Sequence, residues 1–239
     1  MKYYNLLVMG MFMIMAGINA NAGILGKRYI GISIGQVTPG DEDLKEIDDS
    51  IFGYGVGIRL PIDANLDFLA SIGQSKLEGN GTEWDPYYGI WYDWNVEATG
   101  TSLYSALQYQ LQPGQQVNPF IVGGILRVKS EGEVKVNGYS ESEDDDDTGF
   151  EVGGGIEFNI DDKTSFNIGV NYQSEIFDED DTSMGIGFNI WASPQTLLSI
   201  VGGYNFDSED KSILAGISVK FGENAKFRKE EKQSKVSPF

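Results

Sequence analysis

The sequence predicts an all-β protein: an up-and-down antiparallel barrel of about ten strands, with eight as the alternative count. Three observations carry this expectation. Apolar and polar residues alternate in run after run, turn-forming residues separate the runs, and glycine supplies 31 of the 239 residues. Strict alternation marks a strand with one apolar face, because successive side chains point to opposite sides of the sheet.

Ten runs fall near 27–37, 50–60, 65–76, 95–111, 118–130, 148–160, 164–174, 182–192, 196–206 and 211–221. In the first, Ile30, Ile32 and Ile34 share one face. In the second, Phe52, Tyr54, Val56, Ile58 and Leu60 stand opposite Gly53, Gly55, Gly57 and Arg59. The sixth sets Phe150, Val152, Ile156, Phe158 and Ile160 against Glu151, Gly153, Gly155 and Glu157. Met184, Ile186, Phe188 and Ile190 repeat the pattern in the eighth, and Ile213, Ala215, Ile217, Val219 and Phe221 in the tenth. The fifth and ninth runs carry apolar residues on both parities, and Gly100 marks an expected bulge or parity change in the fourth.

The connections alternate too. After even-numbered runs they are short ("PIDA", "QPGQQV", "DDK", "SPQ"); after odd-numbered runs they are mostly longer and hold most of the 36 acidic residues. An even-stranded meander puts all the acidic links at one end and both chain termini at the other. Short turns at one end and longer loops at the other, on strands of roughly ten residues, are the asymmetry of a bacterial outer-membrane barrel.

Mid-strand charges decide which face is inside. Arg59, Asp67, Arg127, Glu151 and Glu157 lie on the polar parity. A lipid-facing Lys or Arg near the bilayer centre costs roughly 2–4 kcal/mol, so these five are expected to line the lumen. The alternative is a soluble periplasmic lipocalin-like barrel that binds an apolar ligand, with the polar face in water. Glycine dominates that face, a poor choice for exposed strands. Tyr29, Trp94, Tyr109, Phe120, Phe150, Phe158, Phe166, Trp191 and Phe221 gather near strand ends, as aromatic girdles do.

The N-terminus reads as an export signal. Lys2 precedes an apolar core from Leu6 to Ala16, then Ala20 and Ala22 in a small-residue cleavage pattern. Residues 1–22 are taken as the signal peptide, 23–221 as the barrel and 222–239 as a basic periplasmic tail. A transmembrane helical anchor is the alternative for the first segment, but its core is too short to span.

At this point the chain resembles a known family: the small single-domain outer-membrane β-barrel proteins of the OmpA-like, OmpX-like and opacity type. The resemblance rests on the signal peptide, "YIGISIGQV" at the start, the glycine-alternating hairpins and "ILAGISVKF" at the close. It spans residues 23–221 and implies a place, the outer membrane of a Gram-negative-type bacterium, more than an activity. It also implies an assembly role for the terminal aromatic Phe221, although family barrels commonly end there and residues 222–239 follow here.

Function classes narrow by exclusion. A net charge of −19 argues against nucleic acid, and the absence of Cys removes thiolate chemistry. The absence of His removes every Ser–His and Asp–His arrangement. No spacing nominates a catalytic dyad, so no enzyme, resident metal or cofactor is expected. Asp144, Asp146, Thr148 and Gly149 match the start of an EF-hand loop, but Gly155 stands where its last ligand should be. What remains at Asp144, Asp145, Asp146 and Asp147 is a solvated loop, or diffuse Ca²⁺ or Mg²⁺ binding that bridges to lipopolysaccharide. Trp84, Tyr87, Tyr88, Trp91, Tyr92 and Trp94 form the best surface-binding candidate, with a folded loop cap or aromatics seated in the headgroup region as the alternative. The expected partners are outer-membrane lipid, lipopolysaccharide and an extracellular ligand. The expected role is structural or surface-interaction; a narrow porin-like channel is the alternative.

Overall fold

A computed structural model describes residues 28–40, 45, 50–176 and 179–222. The segments assigned to the signal peptide and the basic tail lie outside these residues, apart from Gly222. Ten strands close into one antiparallel barrel in the order β1-β10-β9-β8-β7-β6-β5-β4-β3-β2. They are β1 (Tyr29–Thr38), β2 (Ile51–Pro61), β3 (Leu66–Asp85), β4 (Ile90–Gln110) and β5 (Val117–Val136). The second half holds β6 (Tyr139–Asn159), β7 (Thr164–Ile176), β8 (Glu179–Ser193), β9 (Thr196–Asn205) and β10 (Lys211–Lys220). The ladder of β1 against β10 runs from Tyr29↔Lys220 to Thr38↔Lys211 and leaves no edge in the barrel wall. All ten sequence runs have become strands in their expected order.

The apolar parity faces outward all round. Ile30, Ile32 and Ile34 on β1, Phe150 and Val152 on β6, and Ile213 on β10 are all exposed. Water would not tolerate a continuous apolar belt of this extent on a soluble barrel, whereas a bilayer requires one. The lipocalin-like alternative, with its apolar face inward, is thereby excluded. Among the described residues no helix is long and apolar enough to cross a membrane; the strands do the crossing.

Two sequence expectations about the strands need correction. Two of the long acidic links, those after the third and fifth runs, are not loops. β3 and β4 continue to a tight turn at residues 86–89, and β5 and β6 continue to the two residues Asn137 and Gly138. Asn137 has φ 49° and Gly138 φ 84°, the left-handed pair that a two-residue hairpin turn demands. Gly100 is no bulge, since the register runs unbroken from Leu66↔Tyr109 to Asp85↔Ile90. Register shifts fall instead between Gln173 and Ile176 and between Trp191 and Ser193.

The aromatic girdle is also thinner than expected. Tyr29 is 2% exposed and its ring packs 5.6 Å from Trp191, with Leu197 beside them inside the barrel. Phe120 also stands on the inner parity, its ring over Gly155, where an added Cβ would lie 2.7 Å from the ring. Trp94 lies beyond the barrel wall. Of the expected girdle, Tyr109, Phe150, Phe158 and Phe221 are exposed on the outer parity, and Phe166 points the same way.

Candidate functional site

Two regions concentrate the functional side chains: the barrel interior and the projection formed by β3–β6. The interior is built in layers. Near the end that holds the chain termini, Arg59 Nε and Nη2 donate to Asp67 Oδ2 at 3.0 and 2.6 Å, with both side chains buried. Beside them Asn118 Nδ2 donates to Gln110 Oε1 at 2.9 Å and reaches Glu157 Oε2 at 3.5 Å. An apolar layer follows, made of Leu69, Tyr104, Ala106, Val122, Leu126, Val128 and Ile176, with Glu151 buried at its edge. A second apolar cluster of Val37, Ile51, Leu77 and Ala98 lies towards the far end.

Arg59, Asp67, Glu151 and Glu157 therefore point inward, each 4% exposed or less. Arg127 does not. It stands on the outer parity with Ile121 and Ile125, its side chain 60% exposed, and Nε donates to Asp146 Oδ1 at 2.9 Å. The reason lies in β5, where Val122, Leu126 and Val128 turn inward while Ile121 and Ile125 face lipid. With both parities apolar, periodicity offers no face on which to place the arginine. Among the buried residues described, Arg59 is the single cation against Asp67, Glu151, Glu157, Asp181 and Asp210.

The projection arises because four strands outlast their neighbours. β2 leaves β3 at the pair Phe52↔Lys76, and β7 leaves β6 at Glu151↔Gln173. Beyond these points Leu77–Asp85 rises by roughly 30 Å at the usual strand increment. Its two faces differ in chemistry. The face continuous with the barrel exterior carries ion pairs: Lys76 with Glu78 and Glu97, Lys129 with Glu131, and Lys135 with Glu133. Lys135 and Ser140 hold the Glu133 carboxyl below the usual carboxylate range, and Arg127 does the same for Asp146.

The face continuous with the barrel interior shows aligned rows across the sheet. Gly81, Trp94, Val136 and Tyr139 form one; Gly79, Val96, Val134 and Glu141 form the next; Leu77, Ala98, Gly132 and Glu143 the third. A Cβ at Gly81 would meet the Trp94 ring at 2.7 Å, so the indole lies flat along the glycine column.

The six aromatic candidates are consequently not brought together. Trp84 and Trp91 pair across β3 and β4 on the ion-paired face, ring centroids 5.5 Å apart. Tyr87 and Tyr88 form the tip, their rings edge to face at 4.9 Å. Tyr92 and Trp94 belong to the opposite face, where Tyr92 Oη donates to Glu83 Oε2 at 2.6 Å across the hairpin. The four aspartates Asp144–Asp147 also alternate between faces along the open edge of β6. Asp145 and Asp147 each accept the next residue's backbone N–H, at 2.9 and 2.6 Å. Among the described residues no three acidic side chains are grouped so as to hold a metal ion. The missed signal was "NG" at Asn137 and Gly138 between the alternating "EVKV" and "YSES", a hairpin inside what reads as a loop.

One groove of 830 Å³ lies in the barrel wall, lined by Ile34, Phe52, Tyr54, Ile200 and Ile213 with Lys76 at its rim.

Residues 6–193 match the family model described as the outer membrane protein beta-barrel domain. No curated protein matches the chain. Among solved structures it is similar to the transport unit of the autotransporter AIDA-I from Escherichia coli, at 10% identity and a TM-score of 0.56. That match covers 92% of this chain and 97% of the other. The translocator domain of NalP from Neisseria meningitidis matches at 13% identity and a TM-score of 0.48, covering 92% and 96%. Ail, the attachment invasion locus protein of Yersinia pestis, matches at 15% identity and a TM-score of 0.39, covering 82% and 97%. At these identities the likeness is one of fold.

Proposed function

The chain belongs to the outer-membrane protein β-barrel family, and from that premise we propose that it is a closed-lumen barrel with a structural or surface-interaction role. The chain is exported through a signal peptide cleaved after Ala22, and it works through the acidic and aromatic projection of β3–β6 rather than through a pore or a catalytic site. One observation carries this reading: the interior is occupied along its length by buried side chains, from Tyr29 and the Arg59–Asp67 pair through Leu69 and Leu126 to Leu77. Narrow barrels filled by their own side chains have no standing water path. Purified protein in planar bilayers should give no reproducible conductance steps; stepwise currents at neutral pH would sink the closed-lumen reading.

A narrow channel is the second reading, favoured by the acidic balance of the buried interior described above. Such a channel would select cations, because four buried carboxylates stand beyond the one that Arg59 engages. Reversal potentials under a salt gradient distinguish it from a neutral leak.

Lipid and lipopolysaccharide are the proposed partners of the barrel wall. The groove between Phe52 and Ile213 suits an acyl chain of the outer leaflet, and basic Lys76, Arg127 and Lys129 stand where headgroups begin.

A further inference from the structure

We propose that the inward-continuing face of the β3–β6 projection is a docking surface for a cationic, amphipathic polypeptide segment. This rests on the surface-interaction role proposed above and names its partner class. Charge segregation across the sheet carries the argument. Lys76, Arg127, Lys129 and Lys135 all stand on the opposite parity, each beside a carboxylate. The docking face has no Lys or Arg at any described position of the projection, yet it bears Glu83, Glu141, Glu143, Asp145 and Asp147.

The acids are also ordered relative to the apolar groups. Trp94 on β4 and Val134 and Val136 on β5 form a central, partly exposed apolar strip, with Val96 buried beside them. Glu141, Glu143, Asp145 and Asp147 run beside it as a column on β6. The complement of that surface is a segment with apolar residues on one side and Lys or Arg along its margin. Tyr and Trp at a partly exposed centre are the residues that most often anchor a partner. Carboxylates along one margin steer a cationic ligand and set its register.

The opposite face is a poorer match for the same ligand, since Glu78, Glu97, Glu131, Glu133 and Asp146 there are already ion-paired with Lys76, Lys129, Lys135 or Arg127. The free edge of β6 is not the docking element either. Asp145 and Asp147 accept the backbone N–H groups of Asp146 and Thr148 there, so an added strand would have to displace them. Contact is therefore made through side chains on the face.

The test uses the full-length mature protein in zwitterionic detergent micelles, with a labelled peptide of alternating Lys and Val followed by fluorescence anisotropy. Binding at micromolar concentration is expected, weakened at least tenfold by the combined Glu141→Gln, Glu143→Gln, Asp145→Asn and Asp147→Asn variant. Tyr92→Ser should weaken it severalfold, and Glu131→Gln with Glu133→Gln, on the other face, should leave it unchanged. Retained heat-dependent gel migration certifies that each variant is folded; if the fourfold variant is not, Glu141→Gln with Glu143→Gln replaces it. Absence of binding, equal weakening by substitutions on the two faces, or equally tight binding of spermidine would each overturn the proposal. A folded protein silent in bilayers that fails to bind the peptide sinks this inference alone. Stepwise currents sink the closed-lumen reading and leave the peptide result standing.

Discussion

Arg59 donates from both Nε and Nη2 to a single oxygen of Asp67, Oδ2, inside the barrel wall, with the two side chains 3% and 1% exposed. The residues face each other diagonally across the β2–β3 hairpin, since Arg59 pairs with Leu69 and Asp67 with Pro61. The contact is therefore local in sequence but buried in the finished barrel. Removing one partner of such a pair leaves an uncompensated charge out of water. Asp67→Asn should lower stability by about 3–5 kcal/mol, while Arg59→Met combined with Asp67→Leu should be near neutral. Urea unfolding in micelles, followed by gel migration, measures both. Equal losses in the single and double variants would contradict the assignment of the pair as a buried ion pair.

The outward orientation of the apolar parity makes a second prediction. Ile32 is 57% exposed at mid-strand in β1. Ile32→Arg should cost about 2–4 kcal/mol, the price of a cation facing hydrocarbon near the bilayer centre. Asn95→Arg, on the projection, should change stability by less than about 0.5 kcal/mol, as surface substitutions do. Refolding yields into vesicles of uniform chain length would reverse this order if the inside and outside were exchanged.

The Asn137–Gly138 turn tests whether the projection is a separate cooperative unit. At φ 84° an L side chain is strained, so Gly138→Val should loosen the upper part of β5 and β6. Amide exchange should rise from Glu131 to Asp145 and stay slow from Phe150 to Phe158. Spread of the fast exchange into the barrel wall would show that projection and barrel unfold together.

The ion pairs of the projection have a defined response to pH. Lys135 and Ser140 lower the folded pKa of Glu133, and Arg127 lowers that of Asp146. A carboxylate with a lowered folded pKa contributes stability above its unfolded value, which lies near 4, and loses it as pH falls through the folded value. Both pairs should thus persist through mild acid and open only below that range. Carboxyl ¹³C titration should place both groups below the value of the same residue in an unstructured peptide; values at or above it would refute the pairing.

Much of this architecture is local information. Alternation along Phe52–Leu60 or Phe150–Ile160 declares a strand and its two faces, because the pleat turns successive side chains apart whatever lies beside them. The inward positions of Arg59, Asp67, Glu151 and Glu157 follow from the same periodicity, joined to the cost of charge in lipid. Strand order follows as well, since short links force antiparallel neighbours.

Other features are properties of neighbours rather than of any one strand. On β5 both parities are apolar, so only its register with β4 and β6 settles that Leu126 turns inward and Arg127 outward. Trp191 and Tyr29 read as girdle aromatics until barrel closure sets their rings together inside. The acidic stretches look like loops because charge and glycine mark solvent exposure, and a strand projecting beyond its neighbours is equally exposed. The sequence by itself determined the strands, the faces of those that alternate cleanly and the order of all ten, because those depend on the pleat and on link length. The tertiary structure alone decided how far each hairpin extends and which charges share a face, because pairing partners, not residues, fix both.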